Sequence, residues 1–447
     1  MAKISFMGAG SAVFAKNVLG DCLQTPSMHD AEIALYDIDA GRLKDSKMMM
    51  DNLNKNTNHN RAKITAHLGV ANRKAALKGA DFVVNAIQVG GYKPSTVIDF
   101  EIPKKYKLRQ TIADTLGIGG IFRGLRTIPV MLDFAKDMEE VCPNAWFLNY
   151  TNPMCILTGA MLRGTNVKTV GLCHSVQGCV PGLLKRLDLT GKYAPADTQW
   201  KIAGINHMAW LLEITHKGKD IYPEIKKAAA AKNAAARKKG AKKHDDMVRF
   251  EIMRHFGYYV TESSEHNSEY MPYWIKSNFP GLIEEFNIPL DEYPRRCVNQ
   301  IKTWAERRKE LVKDNMLTHV KSHEYGATIM NSILTDSPSY IGGNVLNNGL
   351  IPNLPANAVV EVPCLVNRNG IQGTFAGALP EQLAGLNRTN INVQLLTIEA
   401  ALTGKKDALY HAAMLDPHTS AELPLDSIRA LCDDLIKAHG KMLPKLT

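Results

Sequence analysis

The first two dozen residues constrain this chain more than any later stretch. Lys3–Met7 is a short apolar run, Gly8-Ala9-Gly10-Ser11-Ala12-Val13-Phe14 follows, and an amphipathic segment continues to about Leu23. A strand that opens through Gly-x-Gly into a helix is the start of a dinucleotide-binding unit. The first glycine permits a tight turn, and the second lets backbone approach a pyrophosphate at the helix N-terminus. The third glycine of that pattern is absent, with Val13 in its place. A second strand, Glu32–Asp37, ends in an acid able to accept hydrogen bonds from an adenosine ribose, which favours NAD. Arg42 follows closely and leaves NADP open, and the alternative role for Asp37 is a helix N-cap.

Strands and helices go on alternating. Lys63–Ala66 reads as a strand, Asn72–Lys78 as a helix, and Ala80–Ile87 as an apolar strand that carries Asn85 and leads to Gln88. A helix over Ile121–Met138, a strand at Trp146–Asn149, a helix at Cys155–Leu162 and a strand ending at Cys173 complete the series. Six strands with helical crossovers predict an α/β chain whose residues 1–195 form a Rossmann-like, doubly wound parallel sheet. Past Leu189 the texture changes: Trp200–His207 and Leu211–Thr215 look antiparallel, and long helices dominate after Asp246. A strand-like block at Val359–Val366 and a helical run from Asn390 to 416–418 follow, so residues 196–447 are expected to form an α+β C-terminal domain.

The formal charge of +10 raises the question of nucleic acid, and its location answers it. Lys226–Lys243 holds eight Lys or Arg, no acid and no aromatic residue to stack on bases. It reads as a solvated helix or a mobile insertion, with no nucleic-acid partner. Eight cysteines without a C-x-x-C pair point to reduced thiols in the cytoplasm. No apolar run approaches the ~18 residues of a membrane span.

Ligands bind at the carboxyl ends of strands in open parallel sheets. Cys173 and His174 stand side by side at such an end, as a metal ligand and an acid or as packing. Gly204-Ile205-Asn206-His207-Met208 puts a histidine just past a strand, in reach of Cys173 if the second domain folds over the strand ends. Thr111–Gly120 offers Asp114 beside a flexible glycine turn, followed by Arg123 and Arg126. Thr261–Tyr273 gathers Glu262, Glu265, His266, Glu269, Tyr270 and Tyr273.

These blocks together resemble glycoside hydrolase family four, the NAD- and metal-dependent glycosidases. The matching pieces are the Gly8–Phe14 loop, Ala113-Asp114-Thr115-Leu116-Gly117 with Gly119-Gly120, Asn149–Pro153, Cys173-His174-Ser175, Gly204–Met208, and Val359–Cys364 with Asn348-Gly349. Cys-His-Ser-Val-Gln-Gly at 173–178 and Val-Thr-Glu-Ser-Ser-Glu-His at 260–266 are most similar to its α-galactosidases. The resemblance implies hydrolysis of small, melibiose-like α-galactosides. Bound NAD oxidises sugar carbon 3, a base removes the carbon 2 proton, the aglycone is eliminated, water adds and the hydride returns. A divalent metal, manganese by resemblance, polarises the carbon 2 and carbon 3 oxygens.

The roles it implies are specific. Cys173 and His207 hold the metal, and His174 protonates the leaving oxygen where phospho-sugar members carry Asp. Tyr270 is the carbon 2 base, with His266 or Glu265 as substitutes, and Asp114 tunes it. Gly8, Gly10, Ser11, Phe14, Asp37, Asn85, Gln88 and Asn149 face the cofactor. Asn152 binds sugar hydroxyls, and Arg295 binds substrate or a partner subunit. A homodimer or homotetramer is implied. The rival expectations are the same chemistry on an α-galacturonide or α-glucoside, and a lactate/malate-type dehydrogenase.

Overall fold

The computed structural model describes residues 1–447. Six strands of the first half are parallel: β1 (Lys3–Met7), β2 (Glu32–Asp37), β3 (Lys63–Leu68), β4 (Phe82–Asn85), β5 (Trp146–Asn149) and β6 (Lys168–Gly171). Their spatial order is β3-β2-β1-β4-β5-β6, the expected doubly wound arrangement. Helices cover both faces of such a sheet, which is why β4 is buried along its whole length and is apolar up to its last residue, Asn85.

The second half adds β7 (Thr198–Ile205), β8 (Met208–His216), β9 (Lys219–Asp220), β10 (Tyr259–Val260), β11 (Ser339–Leu346), β12 (Val359–Asn367) and β13 (Gly370–Gly373). These strands extend the same sheet. Beyond β6 it continues through β11, β12, β7, β8 and β10, all antiparallel to their neighbours. The two joins are thin. One residue pair, Asn344 with Gly171, links β11 to β6, and one pair, Glu361 with Gly204, links β12 to β7.

Packing crosses the midpoint as well. The largest apolar cluster runs from Phe6, Leu148 and Val170 to Ile205, Trp210 and Val362 without a break near residue 195. The helix Glu381–Thr403 packs on Gly117–Val141 and Met154–Gly164 from the first half. One sequence reading needs correction, and one alternative is decided: the basic stretch takes the solvated-helix reading. Gly117–Gly120, expected as a flexible turn, is the buried first turn of a 25-residue helix. The basic stretch is in large part a helix, Tyr222–Ala236, anchored by Ile225, Ala229 and Asn233, with Lys238, Lys239 and Lys242 in solvent beyond it. No helix is long and apolar enough to cross a membrane.

Candidate active site

The carboxyl ends of β1, β4, β5 and β6 converge on a cleft of about 320 Å³ whose lining includes Ser11, Phe14, Gln88, Asn152, Cys173 and His174. It opens where the strand order reverses, between β1 and β4. Gly8 is indispensable there: its φ is +87°, and a Cβ would lie 2.7 Å from the Ala86 carbonyl oxygen. The Gly10 N–H donates to Asp37 Oδ2 at 2.6 Å, and Asp39 N–H donates to Asp37 Oδ1 at 2.9 Å. Asp37 therefore braces the loop, and the helix cap assigned to it as an alternative falls to Asp39, which accepts from Arg42 N–H.

Asn85 and Asn149 do not line the cleft. They are fully buried pegs beneath it: Asn85 Nδ2 donates to Asn149 Oδ1 at 2.9 Å, and Asn149 Nδ2 donates to the Thr151 carbonyl at 3.1 Å. Together they hold the 150–152 loop. Asn152 Oδ1, in that loop, is buried without a hydrogen-bond partner, which marks a place for a polar ligand.

The second half brings its donors over the strand ends. The two-residue turn Asn206-His207 joins β7 to β8, and His207 takes φ +63° at a position where glycine is the usual occupant. Glu262, just past β10, takes φ +65°. Backbone held in this sparsely populated region clusters at functional sites. Ligand atoms of Cys173, His207 and Glu262 all lie within 4.8 Å of one another. His207 Nε2 is 3.6 Å from Glu262 Oε2, and its Nδ1 is 3.0 Å from the Tyr270 hydroxyl. Tyr270 thus turns the imidazole so that Nε2 faces the other two donors, as an outer partner does for a metal-binding histidine.

Electrostatics agrees with the geometry. Burial disfavours a charged His207, yet Cys173 and Glu262 raise its pKa well above the usual imidazole value. Burial raises that of Glu262, and the imidazoles of His207 and His266 outweigh it and hold the carboxyl well below its usual range. The triad therefore retains a proton that a divalent cation would displace. Sulfur, imidazole and carboxylate in one cluster suit a first-row transition metal, so the residues fit such an ion. Glu262 is the donor that the sequence reading did not single out. Its signal was present, an acid four residues before His266 in the crowded 261–273 stretch.

The remaining groups surround this triad. Asp114 Oδ1 accepts from the Thr115 hydroxyl at 2.8 Å, and its carboxylate is 3.9 Å from both Arg123 Nη1 and His266 Nε2. Its loop is clamped by Glu269, which accepts from Thr111 N–H at 2.8 Å and Ala113 N–H at 2.7 Å, and whose pKa burial pushes up to about 7. Tyr270 is 1% exposed; burial and the carboxylates of Asp114, Glu269 and Glu262 drive its pKa up. His174 Nε2 lies 2.6 Å from Glu324 Oε2, a bond that raises its pKa against the effect of burial. The Tyr325 hydroxyl receives Cys173 N–H at 2.7 Å and donates to the Cys173 carbonyl at 3.0 Å. Arg295 stands apart, bonded to Glu292 and the Leu290 carbonyl, while Arg123 lines the cleft beside the Tyr293 hydroxyl.

A crevice at a topological switch point, opening onto a thiol–imidazole–carboxylate cluster, defines a dinucleotide-binding enzyme with a metal-ready reaction centre. Comparison supplies the family. The model described as "Family 4 glycosyl hydrolase" matches residues 3–189, and the one for its C-terminal domain matches residues 202–419. The chain belongs to family 4 of the glycosyl hydrolases. It is 61% identical over 445 residues, the full length of both chains, to an alpha-galactosidase of Bacillus subtilis (strain 168). It is 33% identical to an alpha-galactosidase of Rhizobium meliloti (strain 1021), over 99% of this chain and 89% of that one. In fold it is similar to a 6-phospho-alpha-glucosidase from gut microorganisms, solved with NAD and Mn2+, at 19% identity, full coverage of both chains and a TM-score of 0.81.

Proposed function

We propose that this protein is an α-galactosidase that hydrolyses small, melibiose-like α-galactosides with bound NAD and a divalent metal, manganese. The observation that carries the proposal is the Cys173–His207–Glu262 cluster at the mouth of a dinucleotide crevice. NAD, when bound, accepts the hydride of sugar carbon 3 and returns it, and the metal supplies Lewis acidity at the neighbouring hydroxyls.

The chain's own residues do the rest. Cys173, His207 and Glu262 hold the cation. Gly8, Gly10, Ser11, Phe14, Asp37 and Gln88 shape the cofactor crevice, with Asn85 and Asn149 supporting its floor. Asn152 Oδ1 accepts from a sugar hydroxyl. Tyr270 takes the carbon 2 proton; the anions around it hold its own proton on, and positive charge at the triad offsets them. Asp114, within 3.9 Å of His266, orders this polar wall. His174, tethered by Glu324, gives a proton to the leaving oxygen. Arg295, outside the cleft, is assigned to a subunit contact in a homodimer or homotetramer.

We place the functional division near residue 195, with the cofactor half before it and the metal-closing half after it; family matches that end at 189 and resume at 202 support this. Eight free cysteines support residence in the cytoplasm. Assay of nitrophenyl α-galactoside under reducing conditions tests the proposal. Turnover should require both NAD and Mn2+ and form no net NADH, which separates it from a dehydrogenase. Full activity in cofactor-free, metal-stripped protein refutes it, and faster turnover of the α-glucoside or α-galacturonide reassigns the sugar.

A further inference from the structure

The thin joins in the sheet lie directly behind the donor triad. Gly171, the β6 residue paired with Asn344, is two residues before Cys173. Gly204, the β7 residue paired with Glu361, is three residues before His207. Since each join is a single residue pair, backbone pairing does little to fix how the two strand ends sit relative to each other. Side chains at the same positions bridge the gap. Glu361 is 1% exposed, and its Oε1 accepts from Asn344 Nδ2 at 2.9 Å and Asn206 Nδ2 at 3.3 Å. Asn344 Nδ2 also donates to the Gly171 carbonyl at 3.3 Å.

This carboxylate is an unusual choice for an interior position. No lysine, arginine or histidine makes an ion pair with it, and its Oε2 is buried with no hydrogen-bond partner. Burial raises its pKa, against the hydrogen bond from Asn344, the nearby charge of His207 and the hydrogen bond from Asn206. An apolar residue would fill the same space without burying a carboxylate, but would leave Asn206 Nδ2 without its acceptor. What an apolar residue cannot do is receive both amides at once.

We propose that Glu361 is a positioning residue for the metal centre. Through Asn344 it fixes the Gly171–Cys173 strand end, and through Asn206 it fixes the His207 turn, so one carboxylate sets the spacing of sulfur and imidazole. The inference rests on the metal site proposed above and deepens it; Glu361 is not one of the three donors and acts through Asn344 and Asn206.

Cobalt provides a readout that does not depend on turnover. Co2+ titration of the intact protein gives a dissociation constant, and thiolate-to-cobalt absorption reports the Cys173 bond. Wild type should bind Co2+ with that absorption; its absence overturns the metal assignment and this inference with it. Glu361→Ala should weaken Co2+ binding about 10–100-fold and diminish the thiolate band at saturation, as loss of an outer partner does. Glu361→Gln keeps an acceptor for both amides and should restore affinity and band. Asn206→Ala cuts the His207 arm alone and should weaken binding; combined with Glu361→Ala it should add little, because both act along one path. Wild-type affinity and band in Glu361→Ala overturn the inference, as does a Glu361→Gln variant as impaired as Glu361→Ala. Should Glu361→Ala not fold, Asn206→Ala and Glu361→Gln decide: wild-type Co2+ binding in Asn206→Ala, or lost binding in folded Glu361→Gln, overturns it.

Discussion

Replacing Tyr270 with phenylalanine separates two consequences of one hydroxyl. The ring stays, stacked on His207 at 6.3 Å between centroids, while the 3.0 Å bond to Nδ1 is removed. His207 is 3% exposed, so water does not replace the lost partner. An unsatisfied buried group of this kind costs about 1–3 kcal/mol. A metal-bound ring is held with Nδ1–H facing the vacated position, whereas the metal-free ring is free to turn, so the cost falls mainly on the metal-bound state. At 1.4 kcal/mol per decade it corresponds to roughly 5–150-fold weaker metal binding. The assay is titration of Tyr270→Phe with Mn2+, following free Mn2+ by electron paramagnetic resonance, beside solvent deuterium incorporation at carbon 2 under saturating metal. Binding should weaken within that range, and carbon 2 exchange should fall even when the metal site is full. Unchanged Mn2+ affinity in a folded variant refutes the orienting role, and undiminished exchange at saturation refutes the role as base.

Three other outcomes follow from the same structure. Glu262→Gln removes an anionic donor while leaving Cys173 and His207 in place, and should weaken Mn2+ binding by about tenfold or more in the same titration. Asp37→Ala takes away the brace on Gly10 N–H and the carboxylate proposed to face the cofactor, so fluorescence titration should show NADH binding weakened by roughly 1–2 kcal/mol, about 5–30-fold. Asp21 is buried, which raises its pKa, but bonds from His319 and Ser322 outweigh this and leave it below its usual value. Its contribution to stability is therefore whole above the unfolded pKa of about 3.9 and is lost as pH falls through the lower folded value. Asp21→Asn should flatten that acid limb in urea unfolding below about pH 4, and an unchanged slope there would exclude the assignment.

The sequence was most legible where local pattern and tertiary burial agree. Phe82–Val84 and Phe147–Leu148 read as strands because parallel strands covered on both faces are continuous apolar runs. Cys173 was visible because it follows such a run at once, and His207 because it stands just past the apolar end of β7. β11 was not, because Gly342 and Gly343 interrupt its alternation and its partners are distant in the chain. Asn85 and Asn149 look like cofactor ligands in the sequence, being polar residues at strand ends. Only the fold shows that Asn85 donates to Asn149, that Asn149 donates to the loop above, and that neither lines the cleft. Glu324 and Tyr325 belong to a segment without periodicity, carried to the cleft by long-range bonds such as that from Ser322 to Asp21. Glu262 stood among several ionisable neighbours, and its left-handed backbone in the fold singles it out.

The continuous sheet also decides how the molecule can come apart. A chain stopped near residue 195 would leave β6 with a bare outer edge and would strip Ile205, Trp210 and Val360 from the apolar cluster that β1 and β5 depend on. Exposed edges of this kind template intermolecular pairing. The two family-matched segments are thus separate in description and single in cohesion: they should melt in one transition, and either half made alone should aggregate.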